Sequence, residues 1–264
     1  MRITHFLYNA FLIESGDKKL AIDPGGKFFY FLRPTTLIPK SEWDSITHIF
    51  ATHGDPDHYW HIDRVAEASG AKIILNNAMV QEQDGKQLVL GPRSKGLAFD
   101  TPLQNLHTLE VGQTMHVDDM EVTGIAVEHG PLRIKIGPFS KIEKPGPQER
   151  IGWGAIGFLI ELDGRKLLNL GDTLLLEKEW QEIPSPDLLM IPIGGKEARN
   201  TMDADEALKA VEIFQPEIVV PTHYNMPALF NSNYGPANAE SFQKAVEKLG
   251  LRCHILGSGE SVSL

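Results

Sequence analysis

The chain has 264 residues, 42% of them hydrophobic and 23% charged, the balance of an ordinary soluble globular protein and not of a disordered or coiled-coil one. A formal charge of −10 disfavours a generic nucleic-acid or anionic-membrane binder. A single cysteine, Cys253, excludes an intrachain disulfide and a thiolate zinc cage. No apolar run approaches the roughly 20 residues that span a bilayer. Met1-Arg2-Ile3-Thr4-His5 lacks the apolar core of a signal peptide, so the expected compartment is the cytoplasm. The length suits one domain over 1–264, and no short repeat or low-complexity tract interrupts it.

Residues 2–8, 10–15 and 18–22 read as strands, the last two joined at a turn through Gly16 and ending at Asp23-Pro24-Gly25. A strand over 46–51 runs straight into Thr52-His53. The pattern then predicts a helix over 58–69 stopped by Gly70, a buried strand at 72–75, and short strands within 106–117. Residues 120–128 read as a strand ending at His129, and 154–162 with 165–170 as a hairpin across Asp163-Gly164. A helix near 174–182, a strand at 187–192, a helix from an Asp203–Glu206 capping box to Phe214, and a strand at 217–221 follow. A helix at 236–249 and strands at 251–256 and 260–263 complete an α/β layered pattern. His53, His129, Asp172 and His223 each lie just past a predicted strand, where ligand sites collect.

The segment Thr52-His53-Gly54-Asp55-Pro56-Asp57-His58 packs two imidazoles and two carboxylates into six residues. That donor set suits zinc, iron or manganese. A polar turn in which Asp55 and Asp57 cap the next helix is the structural alternative. The segment resembles the metal-binding loop of the metallo-β-lactamase superfamily, written H-x-H-x-D-H there and H-x-D-x-D-H here. Asp23, Val127-Glu128-His129-Gly130, Leu170-Gly171-Asp172-Thr173 and Pro221-Thr222-His223-Tyr224 resemble the family's remaining pieces, in order. Pro192-Ile193-Gly194-Gly195 and Thr201-Met202-Asp203 are similar to the branch that includes ascorbate-6-phosphate lactonase.

The resemblance implies an αββα sandwich and a dinuclear hydrolase. It implies His53, Asp55 and His129 on a first metal, Asp57, His58 and His223 on a second, and Asp172 bridging them. Asp57 would also orient the shared hydroxide, and Asp23 would stand behind a ligand, holding its free ring nitrogen or the loop backbone. The implied cofactors are two divalent ions of zinc, manganese or iron, and the implied reaction is hydrolysis of an ester, lactone or phosphoester. Asp55 departs from the family histidine and shifts preference toward harder ions. The rival readings are an iron-dependent oxidoreductase on the same scaffold and a nucleic-acid-processing hydrolase, the latter opposed by the acidic balance.

His61, one turn after His58, reads as a solvated helix histidine. His5, His48, His107, His116 and His254 match no motif, Cys253 reads as core packing, and Gly194-Gly195 as a plain loop. Three segments are candidates for shaping a pocket: Lys27 to Arg33, residues 131–150, and Tyr224 to Tyr234. In the second, Arg133, Lys135, Lys141, Lys144 and Arg150 outnumber Glu143 and Glu149, which favours an anionic small-molecule substrate. The aromatics after Lys27 would also suit an interface between copies of the chain.

Overall fold

The computed structural model describes residues 1–26, 35–90, 100–102, 105–136, 139–145, 151–195, 200–225 and 237–264. The first part of the chain supplies β1 (Arg2–His5), β2 (Phe11–Ser15), β3 (Lys18–Ile22), β4 (His48–Ala51), α1 (Pro56–Tyr59), α2 (Ile62–Ser69) and β5 (Lys72–Asn76). Then come β6 (Val80–Gln83), β7 (Lys86–Leu90), β8 (Asp100–Pro102) and β9 (Leu106–Leu109). The second part supplies β10 (Thr114–Val117), β11 (Met120–Ile125), β12 (Leu132–Ile136), β13 (Phe139–Glu143), β14 (Gly157–Leu162), β15 (Arg165–Asn169) and β16 (Leu188–Pro192). It continues with α3 (Ala204–Phe214), β17 (Ile218–Thr222), α4 (Ala239–Lys248), β18 (Arg252–Cys253) and β19 (Ser261–Ser263).

Two seven-stranded sheets result, ordered β19-β1-β2-β3-β4-β5-β9 and β10-β11-β14-β15-β16-β17-β18. Each begins antiparallel and turns parallel: at β3–β4 in the first sheet, at β15–β16 in the second. The strands are buried on both faces, so their apolar residues split by the two-residue side-chain period. Ile13, Leu20, Ile22, Phe50 and Ile74 face Val122, Phe158, Ile160, Leu188 and Met190 between the sheets. Leu12, Ala21, Ile49, Ile73 and Leu75 point the other way, under Ile62 and Val65 of α2. Leu168, Leu189, Ile191 and Val219 likewise lie under α3 and α4. The order of layers is helix, sheet, sheet, helix, as the family resemblance implies. No helix among the described residues is long and apolar enough to cross a membrane.

The Asp163-Gly164 hairpin and the Asp203–Glu206 capping box form as predicted. Two elements differ. The helix predicted over 58–69 is broken, because His61 leaves helical geometry at φ −115° between α1 and α2. The 174–182 segment is a run of turns. Its donors go to tertiary partners: Leu174 N–H bonds the Glu128 carbonyl at 2.7 Å and the Trp180 indole bonds the Ala126 carbonyl at 2.8 Å. The Lys27–Arg33 segment lies outside the described residues, as do 146–150 of the basic stretch and all beyond Asn225 in the third segment up to residue 236.

Candidate metal centre

The loop after β4 turns back over its own start and brings His53, Asp55, Asp57 and His58 together. Three further loops meet it. They follow β11, β15 and β17 and carry His129, Asp172 and His223. Ligand-type atoms of His53, Asp55 and His129 lie within 4.8 Å of one another, as do those of Asp57, His58 and His223, and those of His53, His58 and Asp172. All seven predicted site residues therefore converge.

The Asp55 carboxylate faces the first triplet, with Oδ2 3.5 Å from His53 Nε2 and 3.3 Å from His129 Nε2. Atoms bound about 2.1 Å from a common tetrahedral ion stand about 3.4 Å apart, so this spacing fits a cation between them. Asp55 occupies the N-cap position of α1, yet its side chain makes no cap hydrogen bond, which disposes of the polar-turn alternative for that residue. In the second triplet Asp57 Oδ2 is 3.6 Å from His58 Nε2. Asp172 divides its oxygens. Oδ1 is 2.8 Å from His223 Nε2 and 3.7 Å from His58 Nε2, while Oδ2 is 3.8 Å from His129 Nε2.

Buried polar atoms are normally hydrogen-bonded. Here Nε2 of His53, His58, His129 and His223 is buried and makes no hydrogen bond, and neither does Asp172 Oδ1, although it stands 2.8 Å from His223 Nε2 in ion-pair contact. On three of these rings the other nitrogen is engaged. His53 Nδ1 donates to Thr52 Oγ1 at 3.0 Å, His58 Nδ1 to Asp23 Oδ2 at 2.7 Å, and His129 Nδ1 to the Gly130 carbonyl at 2.7 Å. A donor bond on one nitrogen leaves the other as a bare lone pair, the state a metal ligand needs. Asp23 is fully buried and anchored by the Thr52 N–H at 2.8 Å, so it stands behind His58 as the sequence suggests.

The charges are mutually dependent. Burial alone would lower the His53 pKa, but Asp55, Asp172 and Asp23 outweigh it and raise it to about 9. Burial likewise pushes His223 down and Asp172 with Asp57 raises it overall. Burial would raise both Asp55 and Asp172, but the imidazoles around them hold each carboxyl well below the usual range. Each carboxylate and imidazole thus favours its neighbour's charged form, and a bound cation would take the place of the imidazole protons.

Sequence reasoning misses Gly152. Its N–H donates to Asp55 Oδ1 at 3.0 Å, which turns Oδ2 toward the imidazoles. At φ +60°, with His129 Cβ and Cγ where its own Cβ would sit, the position admits only glycine. Gly194 is similar: a Cβ there would overlap the His223 carbonyl. No local pattern marks Gly152, because its contact is long-range; Gly194 lies in the Pro192–Gly195 match, but reading it as a plain loop misses this contact.

His61 corrects the sequence reading. It is 2% exposed, both its ring nitrogens lack hydrogen-bond partners, and its ring lies 6.1 Å from that of Trp43. Burial, then Arg64, lowers its pKa to about 4. In the unfolded chain it titrates near 6.5, so between these values only the unfolded state takes up the proton. Its contribution is complete above pH 6.5 and is lost as pH falls through 4. The linkage is worth about 3 kcal/mol at most. Chemical denaturation of His61→Phe should show a smaller stability loss between pH 7 and pH 4 than the wild type. Equal losses would refute this. His5 and His48 are also buried, His5 against the Leu256 carbonyl and His48 against Asp118. Cys253 is core, its thiol pushed up to about 12 by burial and then Glu247.

A β-lactamase superfamily domain model matches residues 2–223, which places the chain in that superfamily. A UPF0173 metal-dependent hydrolase of Alkaliphilus metalliredigens is 30% identical over 98% of this chain and 98% of its own. One from Carboxydothermus hydrogenoformans is 29% identical over the full length of both. Igni18, a metallo hydrolase of Ignicoccus hospitalis, shares the fold with a TM-score of 0.69 at 22% identity, over 99% of this chain and 97% of that one. The chain belongs to the UPF0173 family and is a metal-dependent hydrolase.

Proposed function

We propose that the chain is a dinuclear hydrolase that cleaves an ester, lactone or phosphoester bond in a small cytoplasmic substrate. The observation that carries this reading is the pair of ligand triplets, with four imidazole nitrogens that make no hydrogen bond, on either side of one divided carboxylate. His53, Asp55 and His129 would hold one cation, Asp57, His58 and His223 the other, and Asp172 would serve both. When bound, such ions lower the pKa of a shared water toward neutrality and offset the negative charge that develops on attack.

The chain's own groups do the rest. Asp57 lies at the more exposed side of its triplet, its side chain 19% accessible against 3% or less for His58, His223 and Asp172, and is placed to orient the attacking water and take its proton. Thr52, Asp23 and the Gly130 carbonyl fix the ring orientations behind it.

A lactone is favoured by the likeness to the lactonase branch. The Thr201-Met202-Asp203 segment shows what such a helix start does here. Thr201 Oγ1 and Met202 N–H both donate to the Thr173 carbonyl, which steadies the residue beside Asp172. An anionic substrate is favoured by the basic 131–150 stretch, though Lys141 is paired with Glu143 on the same hairpin at 2.8 Å. The test is elemental analysis of protein purified without added metal. A screen of anionic and neutral esters, lactones and phosphodiesters in that metal follows, with oxygen uptake monitored. Two equivalents of metal with hydrolysis of one class support the reading. Substrate-dependent oxygen uptake without hydrolysis would replace it with the iron oxidoreductase.

Asp55 gives a sharper test. A carboxylate in place of the common histidine favours manganese or iron over zinc. Asp55→His removes one negative charge at the first position, which should lower the pKa of the shared water. Turnover against pH for apo-protein reloaded with manganese, iron or zinc should shift toward zinc in the variant, with its acidic limb at lower pH. An unchanged order of metals and an unchanged limb would remove Asp55 from the ligand set.

A further inference from the structure

We propose that the amide pair Asn9–Asn169 is a positioning device that sets His58, of the second cation position, and the shared Asp172 from both halves of the sandwich at once. Asn9 sits in the turn between β1 and β2 of the first sheet, and Asn169 ends β15 in the second. Both are fully buried. Their side chains bond reciprocally: Asn9 Nδ2 donates to Asn169 Oδ1 at 2.9 Å, and Asn169 Nδ2 donates to Asn9 Oδ1 at 3.1 Å.

Each amide then reaches a different element of the site. The second Asn9 N–H donates to Asp23 Oδ2 at 2.7 Å, the same oxygen that accepts from His58 Nδ1. Asn169 Oδ1 also accepts from the Gly171 N–H at 2.9 Å, in the left-handed turn at φ +59° that delivers Asp172. The last Asn169 N–H points to Met190 Sδ at 3.5 Å. Every polar hydrogen of the pair is used.

The neighbourhood is otherwise apolar. Phe11, Ile22, Phe158 and Met190 fill the layer between the sheets. A fully satisfied amide pair in such a layer contributes little net stability compared with apolar residues of the same shape, whereas leaving one partner unpaired is costly. What the pair adds is geometry. The pair ties Asp23, past a strand of the first sheet, to Gly171, past a strand of the second, and so resists a shift of one sheet against the other that would change the spacing of the His58 ring and the Asp172 carboxylate. Of the first triplet, Asp55 and His129 rest on Gly152 and Gly130, outside the pair's reach. His53 rests on Thr52, whose hydroxyl donates to the same Asp23 oxygen at 2.6 Å, and is reached one step further on. The pair should therefore act more strongly on the second position, through both His58 and Asp172, than on the first.

This inference rests on the dinuclear reading, and the experiment separates the two. Apo-protein is titrated with cobalt(II), read by visible absorption and by elemental analysis after desalting, for wild type, Asn9→Ala, Asn169→Ala and the double variant. Wild type should take up two equivalents. Each single variant should bind one equivalent tenfold or more less tightly, with an altered absorption band, and should weaken the other by a smaller factor. The double variant should lose no more than either single one, since the pair acts as a unit. Should Asn9→Ala not fold, Asn9→Ser keeps a donor near Asp23 and should show a smaller loss at the same position. Affinities unchanged at both positions, or reduced equally at both, would overturn the positioning role while leaving the dinuclear reading intact. A wild type that takes up one equivalent would overturn both, and that result is read before any variant is made.

Discussion

Asp172→Ala is expected to reduce turnover by about a thousandfold or more while the fold survives. The carboxylate turns Oδ1 to His223 and His58 and Oδ2 toward His129, so it faces both triplets. On the proposed dinuclear reading, two divalent cations would repel strongly in a site screened from water, and the Asp172 anion would offset that repulsion. Its loss should release at least one cation. Asp172→Asn keeps the shape without the charge and should fall between the two. Metal content after dialysis, turnover and near-ultraviolet circular dichroism would be measured together. Two retained equivalents with full turnover would contradict the assignment.

Gly152→Ala should produce the next largest effect. The added methyl group meets the His129 ring, and the left-handed backbone costs about 1 kcal/mol for any residue with a Cβ. The loop must move, and Asp55 then loses the N–H that turns it. We expect a loss of activity of about a hundredfold or more, weaker metal binding at the first position, and destabilisation of about 2–4 kcal/mol. Gly164→Ala is the control. Its φ is +72° but a Cβ there meets nothing within 4 Å, so it should cost about 1 kcal/mol and keep full activity. If the two variants behave alike, the effect of Gly152→Ala is backbone strain alone.

Much of this was legible in the sequence because the signals are local. Residues 18–22 and 46–51 read as strands from their apolar content and the turn residues beside them, and the capping box marks the start of α3 within one residue. The position of His53, Asp172 and His223 past strand ends follows from those strands. The loop motif around His53 carries four ligand-type residues whatever the rest of the fold does. What sequence reasoning could not reach are contacts made across the sandwich. Gly152 against His129, Asn9 against Asn169, and the burial of His61 under the Trp43 ring all join residues that no periodicity links. The turns at 174–182 show the same limit in reverse, since an apolar stretch with helical content gives its donors to Glu128 and Ala126 instead.

The two triplets draw on loops from both sheets, with His58 and His223 separated by more than half the chain. An ion held by both is therefore a reversible tether between the halves, with a closed loop as long as that of a long-range disulfide. Bound only by the folded form, it ties the unfolding equilibrium to the supply of free metal: about 4 kcal/mol at a thousandfold excess over its dissociation constant. The cost of leaving four imidazole nitrogens without hydrogen bonds is thus carried by the apo-protein alone. A cell short of the right cation would meet this chain first as a less durable protein, prone to local opening and proteolysis at the joint, and only secondarily as an inactive enzyme.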